Sequence, residues 1–84
     1  MAKGMIRYWA AAKAAAGVAE EPFEAATLAE ALRNAQVDRD SEFARVVSRS
    51  SFLIDGDPAG ARPHDQLDLA DGSTIEVLPP FAGG

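Results

Sequence analysis

The residues that could most clearly take part in a chemical reaction lie at the carboxyl end of this 84-residue chain. Gly83 and Gly84 follow an apolar segment directly, and glycine loses more backbone entropy on ordering than any other residue. Such an end presents a slim, unbranched carboxylate that can enter a narrow active site of another protein. Pro79 and Pro80 cannot continue a central strand, and they favour a stiff, extended course. Six extended residues reach about 20 Å. We therefore predict a flexible tail, residues 79–84, whose terminal carboxylate can enter the active site of a partner protein.

Arrangements for conventional catalysis or metal binding are missing elsewhere in the sequence. The chain has no cysteine and one histidine, His64, in a polar loop where solvation is the expected role. The acidic residues Glu20 and Glu21, and those of residues 38–40, are expected in turns as solvated surface. We expect no metal site, no bound cofactor and no catalysis by the chain alone.

Size and net charge limit the classes of partner. A chain of 84 residues fits one domain, residues 1–84, with a globular part at residues 5–78. A net charge of −5 argues against nucleic acid or an anionic membrane, and it suits a partner with a basic surface. The most apolar stretch near the start, residues 9–17, is too short for a membrane span and is interrupted by Lys13. A soluble cytoplasmic protein is the simplest interpretation.

The elements that position the tail are predicted from periodicity and capping signals. Thr27 and Glu30 form a capping box at the start of the main helix, which carries one apolar stripe. Residues 1–4 are interpreted as a loose leader and residues 57–65 as a loop. The order of elements predicts an α+β domain, with a mixed sheet and the main helix packed across one face. The predicted strands are residues 5–10, 20–25 (at a sheet edge), 52–54 and 73–78, the helices are 11–16, 27–37 and 41–49, and a short extended segment is 66–70.

The outer face of the predicted sheet suggests a protein interface. If Ile6 and Tyr8 face the helix, alternation places Trp9 on the other side, and Leu78 does the same on the last strand. Together with Phe81 these residues would form an apolar patch on the side from which the tail leaves. The alternative is that the alanine-rich segment or a loop of the same chain covers Trp9.

A family resemblance extends over nearly the whole chain from Met5. The features that carry it are Ile6-Arg7-Tyr8-Trp9-Ala10, the connection from Lys13 to Gly17, Thr27-Leu28-x-Glu30-Ala31-Leu32, the Asp71-Gly72 turn and the Pro-Pro-Phe-Ala-Gly-Gly end. This pattern resembles the small, sulfur-carrier subunit of molybdopterin synthase, which implies the ubiquitin-like β-grasp fold. The proline pair favours this branch over the thiamine sulfur carriers. Two departures are Asp55-Gly56, where the family often has Asn-Gly, and a loop at residues 57–65 that is longer than usual.

The resemblance implies a mechanism centred on Gly84. An E1-like activating enzyme would use ATP to adenylate its carboxylate, and a sulfur donor protein would convert the acyl adenylate to a thiocarboxylate. The tail would then enter the large subunit of molybdopterin synthase, where the sulfur attacks cyclic pyranopterin monophosphate. Trp9, Leu78 and Phe81 would dock on the partners. The tail residues inside the partner's active site would be Pro79, Pro80, Phe81, Ala82 and Gly83.

Two other functions remain open from the sequence. The same carrier chemistry could serve another product, thiamine thiazole or cysteine. A ubiquitin-like binding or modifier module would instead leave the Gly-Gly end idle or join it to a lysine. Neither the acceptor nor the oligomeric state follows from these residues.

Overall fold

The computed structural model describes residues 1–80 as a five-stranded mixed sheet with helices. The strands are β1 (Ala2–Tyr8), β2 (Glu20–Ala25), β3 (Ser51–Ile54), β4 (Asp57–Pro58) and β5 (Thr74–Leu78). The helices are α1 (Ala10–Ala16), α2 (Leu28–Gln36), α3 (Ser41–Ser48) and a 3₁₀ turn, His64–Gln66. The sheet order is β2-β1-β5-β3-β4, and β5 runs parallel to β1 and antiparallel to β3. The predicted α+β class is confirmed, and the strand that leads into the tail is the middle strand.

The first strand begins earlier than the sequence suggested. Residues 2–4 belong to β1, where Ala2 pairs with Ala25 of β2, so their interpretation as a loose leader is wrong. Gly4 is required for this extension. A Cβ atom at Gly4 would lie 2.1 Å from the carbonyl oxygen of Ser73 and 2.6 Å from the ring of Phe23. Glycine in a strand here marks a close approach of backbone, not a break.

The core lies between the sheet and the helices. Ile6, Tyr8, Ile75 and Val77 point inward from the two central strands and are buried, as alternation predicted. Against them pack the buried residues Leu28, Ala31 and Ala35 of α2 and Phe43 and Val46 of α3.

The capping box predicted for α2 is present with a small shift. The Thr27 hydroxyl accepts a hydrogen bond from the Glu30 amide at 3.2 Å. The Glu30 carboxylate accepts from the amide of Ala26, at 2.7 Å, one residue before the cap. Both ends of this exchange satisfy backbone donors that the helix itself leaves open.

The segment from residue 55 to residue 70 departs from the prediction in two places. Asp55 and Gly56, with φ of 52° and 85°, form a tight hairpin turn, and β4 then pairs with β3. The first two residues of the predicted 57–65 loop are therefore a strand, which Pro58 and its short length concealed. Within residues 66–70 only Asp68 makes a β-bridge, to Thr27. None of the helices formed by residues 1–80 combines the length and apolar character that crossing a membrane requires.

Candidate functional site at the root of the tail

The described part of the tail is Pro79 and Pro80. Pro79 is buried and Pro80 is exposed, so the chain leaves the body one residue later than the prediction of a 79–84 tail implied. The predicted tail residues beyond them lie outside the described residues, and their roles stay predictions: Phe81, Ala82, Gly83 and Gly84.

A groove of about 170 Å³ lies beside the root of the tail, between α1 and α3. Val46 and Ala11 contribute apolar surface to it, and the two prolines also line it. The charged side chains on its wall are Glu42, Arg45 and Arg49. Glu42 and Arg45 are joined by an ion pair of 2.6 Å, and the hydrogen bond from Arg45 holds the pKa of Glu42 below its usual value.

Trp9 stands on the open face of the sheet, where β1 passes into α1. Its backbone amide donates to the Val77 carbonyl at 3.2 Å, which fixes it against the end of β5. The indole Nε1 donates to the Glu76 carboxylate at 3.1 Å, and the Arg7 guanidinium lies 5.5 Å from the ring centroid. We call Arg7, Trp9 and Glu76 the outer triad. The side chain of Trp9 is 41% exposed, so its own chain covers it only in part.

Leu78 lies on the same open face, as predicted. It is half-buried and pairs with Ser51 of β3. Sequence analysis missed Leu53, also half-buried, which pairs with Glu76 and extends the apolar surface away from Trp9. The alternation of Phe52 inward and Leu53 outward was the signal that could have found it. An interface role for Trp9 and Leu78 stays a prediction.

A second cluster of similar composition lies on the inner face of β1 and β2. Arg39 donates two hydrogen bonds to the Glu21 carboxylate, at 2.8 and 3.0 Å, and the Tyr8 hydroxyl donates to the same carboxylate. Arg39 also donates to the carbonyls of Ala16 and Ala35, at 3.3 and 2.6 Å, which ties the ends of α1 and α2 to the sheet. We call Tyr8, Glu21 and Arg39 the inner triad. The expectation that Glu20 and Glu21 lie in a solvated turn is wrong, because both are in β2 and Glu21 is half-buried.

The electrostatics of the inner triad are those of a completed ion pair. Burial raises the pKa of Glu21, but the hydrogen bonds from Arg39 and Tyr8 outweigh it and leave that pKa below its usual value. Burial and the neighbouring Glu21 carboxylate raise the pKa of Tyr8 above its usual value, so the phenol keeps its proton. Neither group is poised to exchange a proton near neutral pH. The inner triad is a structural cross-link.

His64 is half-buried rather than solvated, and its ring packs edge-on against Phe52 with centroids 5.0 Å apart. No group of three or more histidine, aspartate or glutamate side chains within residues 1–80 is arranged to hold a metal ion.

Known structures share this architecture. The small archaeal modifier protein 1 of Methanosarcina acetivorans superposes with a TM-score of 0.84 at 21% identity, covering 100% of this chain and 98% of that one. A Pyrococcus furiosus protein assigned as molybdopterin converting factor, subunit 1, gives 0.78 at 22% identity, covering 96% and 100%. In a complex of subunits 1 and 2 of the molybdopterin-converting factor from Helicobacter pylori, the matching chain gives 0.69 at 20% identity, covering 98% and 99%.

At these identities the structures show the fold, which confirms the predicted ubiquitin-like β-grasp. No curated protein sequence matches this chain significantly. The family model is the stronger finding, because it matches residues 6–84, nearly the whole chain and including the Gly-Gly end. The chain belongs to the ThiS family of ubiquitin-like sulfur carriers.

Proposed function

We propose that this chain is the sulfur-carrying small subunit of a molybdopterin synthase. The observation that carries the proposal is the Gly-Gly carboxyl end, which follows the middle strand of a sulfur-carrier fold after a buried proline and an exposed one. The similarity to subunit 1 of molybdopterin-converting factors supports the choice of this branch, as does the Pro-Pro-Phe-Ala-Gly-Gly sequence.

The proposed chemistry takes place at the Gly84 carbonyl carbon. A carboxylate oxygen attacks the α-phosphorus of ATP on an activating enzyme, and pyrophosphate leaves. Sulfide supplied by a donor protein attacks the resulting acyl carbon, the C–O bond to the phosphate breaks, and AMP leaves, so that loss of the S–H proton gives a thiocarboxylate. In the large subunit this sulfur forms a bond to a side-chain carbon of cyclic pyranopterin monophosphate, from which an oxygen substituent leaves. Water then cleaves the acyl C–S bond at Gly84, which restores the carboxylate and leaves the sulfur on the pterin. Two such deliveries complete a dithiolene.

The body of the chain has a different task, which is to bring the tail to each partner in a fixed orientation. Trp9 and Leu78 on the open sheet face, with Phe81 at the start of the tail, are the proposed contacts with the large subunit. Gly83 and Gly84 have no side chains, so a narrow channel can close on their backbone. The carrier supplies no acid or base of its own.

Intact-protein mass spectrometry tests this proposal. After incubation with an E1-like activating enzyme, ATP and a sulfide source, we expect one C-terminal oxygen to be replaced by sulfur. The matched control is a variant lacking residues 83–84, which should keep its thermal stability because the described core does not include them, yet gain no sulfur. An unmodified mass for the intact chain, beside a known carrier that reacts, would contradict the proposal. If the thiocarboxylate forms, a transfer assay with pyranopterin, thiazole and cysteine precursors identifies the acceptor.

A second candidate function is supported by the similarity to small archaeal modifier proteins, at TM-scores of 0.84 and 0.78. In that function the activated Gly84 carbonyl would be attacked by a lysine amine instead of sulfur, giving an isopeptide bond. Mass spectrometry of chymotryptic digests of cell extracts separates the two functions, because cleavage after Phe81 would leave Ala-Gly-Gly on each modified lysine, whereas a dedicated sulfur carrier leaves no such remnant.

A further inference from the structure

The sheet formed within residues 1–80 has two edges, the strands β2 and β4. The amides and carbonyls on the outer side of an edge strand have no neighbouring strand, so they can pair with a strand of another molecule. The hydrogen bonds on the inner side of each edge strand determine which residues present those outward groups. At both edges of this sheet one of the outward residues is a proline.

At the β2 edge, Pro22 faces away from the sheet. It pairs with Met5 of β1, and the Met5 amide donates to the Ser73 carbonyl at 3.0 Å, on the side away from β2. Met5 and Pro22 therefore form a non-hydrogen-bonded pair, in which the backbone groups of Pro22 point outward. The Tyr8 amide donates to the Ala19 carbonyl at 2.8 Å, on the β2 side, as the alternation along β1 requires. The outward residues of β2 are Glu20, Pro22 and Glu24.

Three features of β2 obstruct the addition of another strand. Pro22 has no N–H, and it occupies the middle one of the outward positions. The Glu24 carbonyl already accepts a hydrogen bond from Nδ2 of Asn34 on α2, at 3.4 Å. In an antiparallel pair of two β2 strands centred on Pro22, Glu20 of one copy would face Glu24 of the other, and opposed like charges destabilise such a pair. Lys3 lies 3.3 Å from Glu24 and offsets this repulsion only in part, because both side chains are exposed.

The β4 edge is obstructed in a similar way. The Ala59 amide donates to the Phe52 carbonyl at 2.9 Å, which turns the backbone of Ala59 towards β3. Pro58, one residue earlier, therefore faces outward, and it has no N–H. Its carbonyl accepts a hydrogen bond from Nη2 of Arg62 at 2.8 Å. The outward residue of this strand thus has no donor, and a side chain of the same chain occupies its acceptor.

The two edges share this arrangement although they come from unrelated segments of the chain. Each combines an outward proline with a side chain, Asn34 or Arg62, that donates to an outward carbonyl. β2 has six residues, so it is the edge at which an added strand would gain more hydrogen bonds. β4 has two residues, and its short length protects it as well.

We propose that Pro22 with Asn34, and Pro58 with Arg62, prevent the sheet from pairing edge to edge with a second copy of this chain. An antiparallel contact between two β2 strands would use the same surface on both copies and would join two five-stranded sheets into one. This protection of the edges is independent of the tail and of the sulfur chemistry proposed for it.

The test replaces the obstructing residues of β2 in the full-length chain. P22V restores an N–H at the outward position, and N34A frees the Glu24 carbonyl. Pro22 and Asn34 are both exposed, so the replacements leave the buried core intact. In sedimentation equilibrium, the weight-average mass of P22V/N34A should rise about twofold with concentration, to that of a dimer, while the wild type keeps the mass of one chain. The matched control is P63V/R33A, because Pro63 and Arg33 are exposed and belong to no strand, and it should stay monomeric.

Two further measurements locate the contact. Salt screens the opposed glutamates, so the mass of P22V/N34A at a fixed concentration should increase with ionic strength. Hydrogen exchange at the amides of residues 20, 22 and 24 should slow in the dimer, because these amides enter the new ladder. The variant P58V/R62A should associate less than P22V/N34A, since β4 offers a shorter edge.

Several outcomes would overturn the proposal. One is a P22V/N34A chain that stays monomeric at high concentration and high salt, and another is a wild type that dimerises as strongly as the variant. Association of the control variant to the same extent, or association with unchanged exchange at residues 20–24, would place the contact elsewhere on the surface. P22A/N34A restores the same N–H without a branched side chain, and it replaces P22V/N34A if urea denaturation shows that variant to be unfolded.

Discussion

The inner and outer triads are built from the same kinds of residue, and their aromatic members, Tyr8 and Trp9, are neighbours in the sequence. Each combines an aromatic ring, an arginine near that ring, and a glutamate that accepts a hydrogen bond from the aromatic side chain. In the inner triad the Arg39 and Glu21 side chains are 17% and 26% exposed, and Arg39 makes further bonds to backbone carbonyls. In the outer triad Trp9 is 41% exposed, and Arg7 has no carboxylate within 4.0 Å in the described part of the chain.

Solvent exposure decides what the same chemistry can do. In the inner triad the charged groups are partly removed from water and need a partner of opposite charge. Removing one of them is therefore expected to lower the free energy of unfolding. In the outer triad water solvates the charged groups, so the contacts between Arg7, Trp9 and Glu76 add little to stability. These contacts can therefore be replaced by contacts with another protein. Alternation at the end of β1 thus places a structural cross-link, through Tyr8, and a proposed docking surface, through Trp9, one residue apart.

The largest expected effect is the loss of stability in Arg39→Ala. Removing Arg39 leaves a half-buried Glu21 carboxylate without its partner, and we expect a loss of about 2–3 kcal/mol in the free energy of unfolding. Arg7→Ala should cost less than about 0.5 kcal/mol, because an exposed cation near an aromatic ring contributes little. Urea denaturation of both variants measures the difference, and similar losses would show that the two triads do not differ in this way.

For binding to the large subunit we expect the reverse, with a larger effect from the outer triad than from the inner triad. Trp9→Ala should weaken binding to the large subunit by about 2 kcal/mol, as expected for a central tryptophan anchor, and should weaken the fold by less. Tyr8→Phe keeps the ring but removes the hydroxyl bonded to Glu21, so it should cost about 1 kcal/mol of stability and leave affinity unchanged. Titration calorimetry measures both affinities. An unchanged affinity for Trp9→Ala would remove that residue from the interface.

A smaller effect is expected in the acid range. The pKa of Glu21 is lower in the folded chain than in the unfolded one, so its contribution is present above about pH 4.3 and is lost as the pH falls through the folded pKa. Glu21→Gln should therefore flatten the decline of stability in acid. Thermal denaturation of the wild type and of Glu21→Gln between neutral and acid pH measures this difference, and parallel curves for the two would contradict the assignment.

At the alkaline end the inner triad has a second signature. The pKa of Tyr8 is raised in the folded chain, so the stability it confers is present below the unfolded tyrosine value, about 10, and declines as the pH rises further. Tyr8→Phe should remove that decline. A spectrophotometric titration of the chain, whose single tyrosine is Tyr8, should show no phenolate near pH 10 in the folded state. Normal titration of the phenol at that pH would contradict the assignment.

Local signals in the sequence predicted most of the fold. The capping box at Thr27, the alternation around Ile75 and Val77, and the Asp-Gly turn before β5 each depend on residues within a few positions of one another. Alternation along β1 also placed Trp9 on the outside correctly. The tail could be interpreted because its glycines and prolines restrict the backbone directly.

What escaped prediction depends on contacts between distant positions. In the sequence Gly4 resembles the end of a strand, and only the assembled sheet shows that the carbonyl oxygen of Ser73 leaves no room for a Cβ atom there. Arg39 is 18 residues from Glu21, and no periodicity links them, so the sequence predicts only a solvated turn for Glu21.

The burial of Pro79 limits how far the tail can extend from the body of the chain. With that residue held in the body, five residues remain, and their fully extended length is at most about 17–18 Å. In the proposed function this length sets the greatest depth at which an activating enzyme or a large subunit can place its reacting atoms below the surface on which the carrier rests. A chain shortened by one residue would fall short by about 3.3 Å, more than a reacting pair of atoms can tolerate.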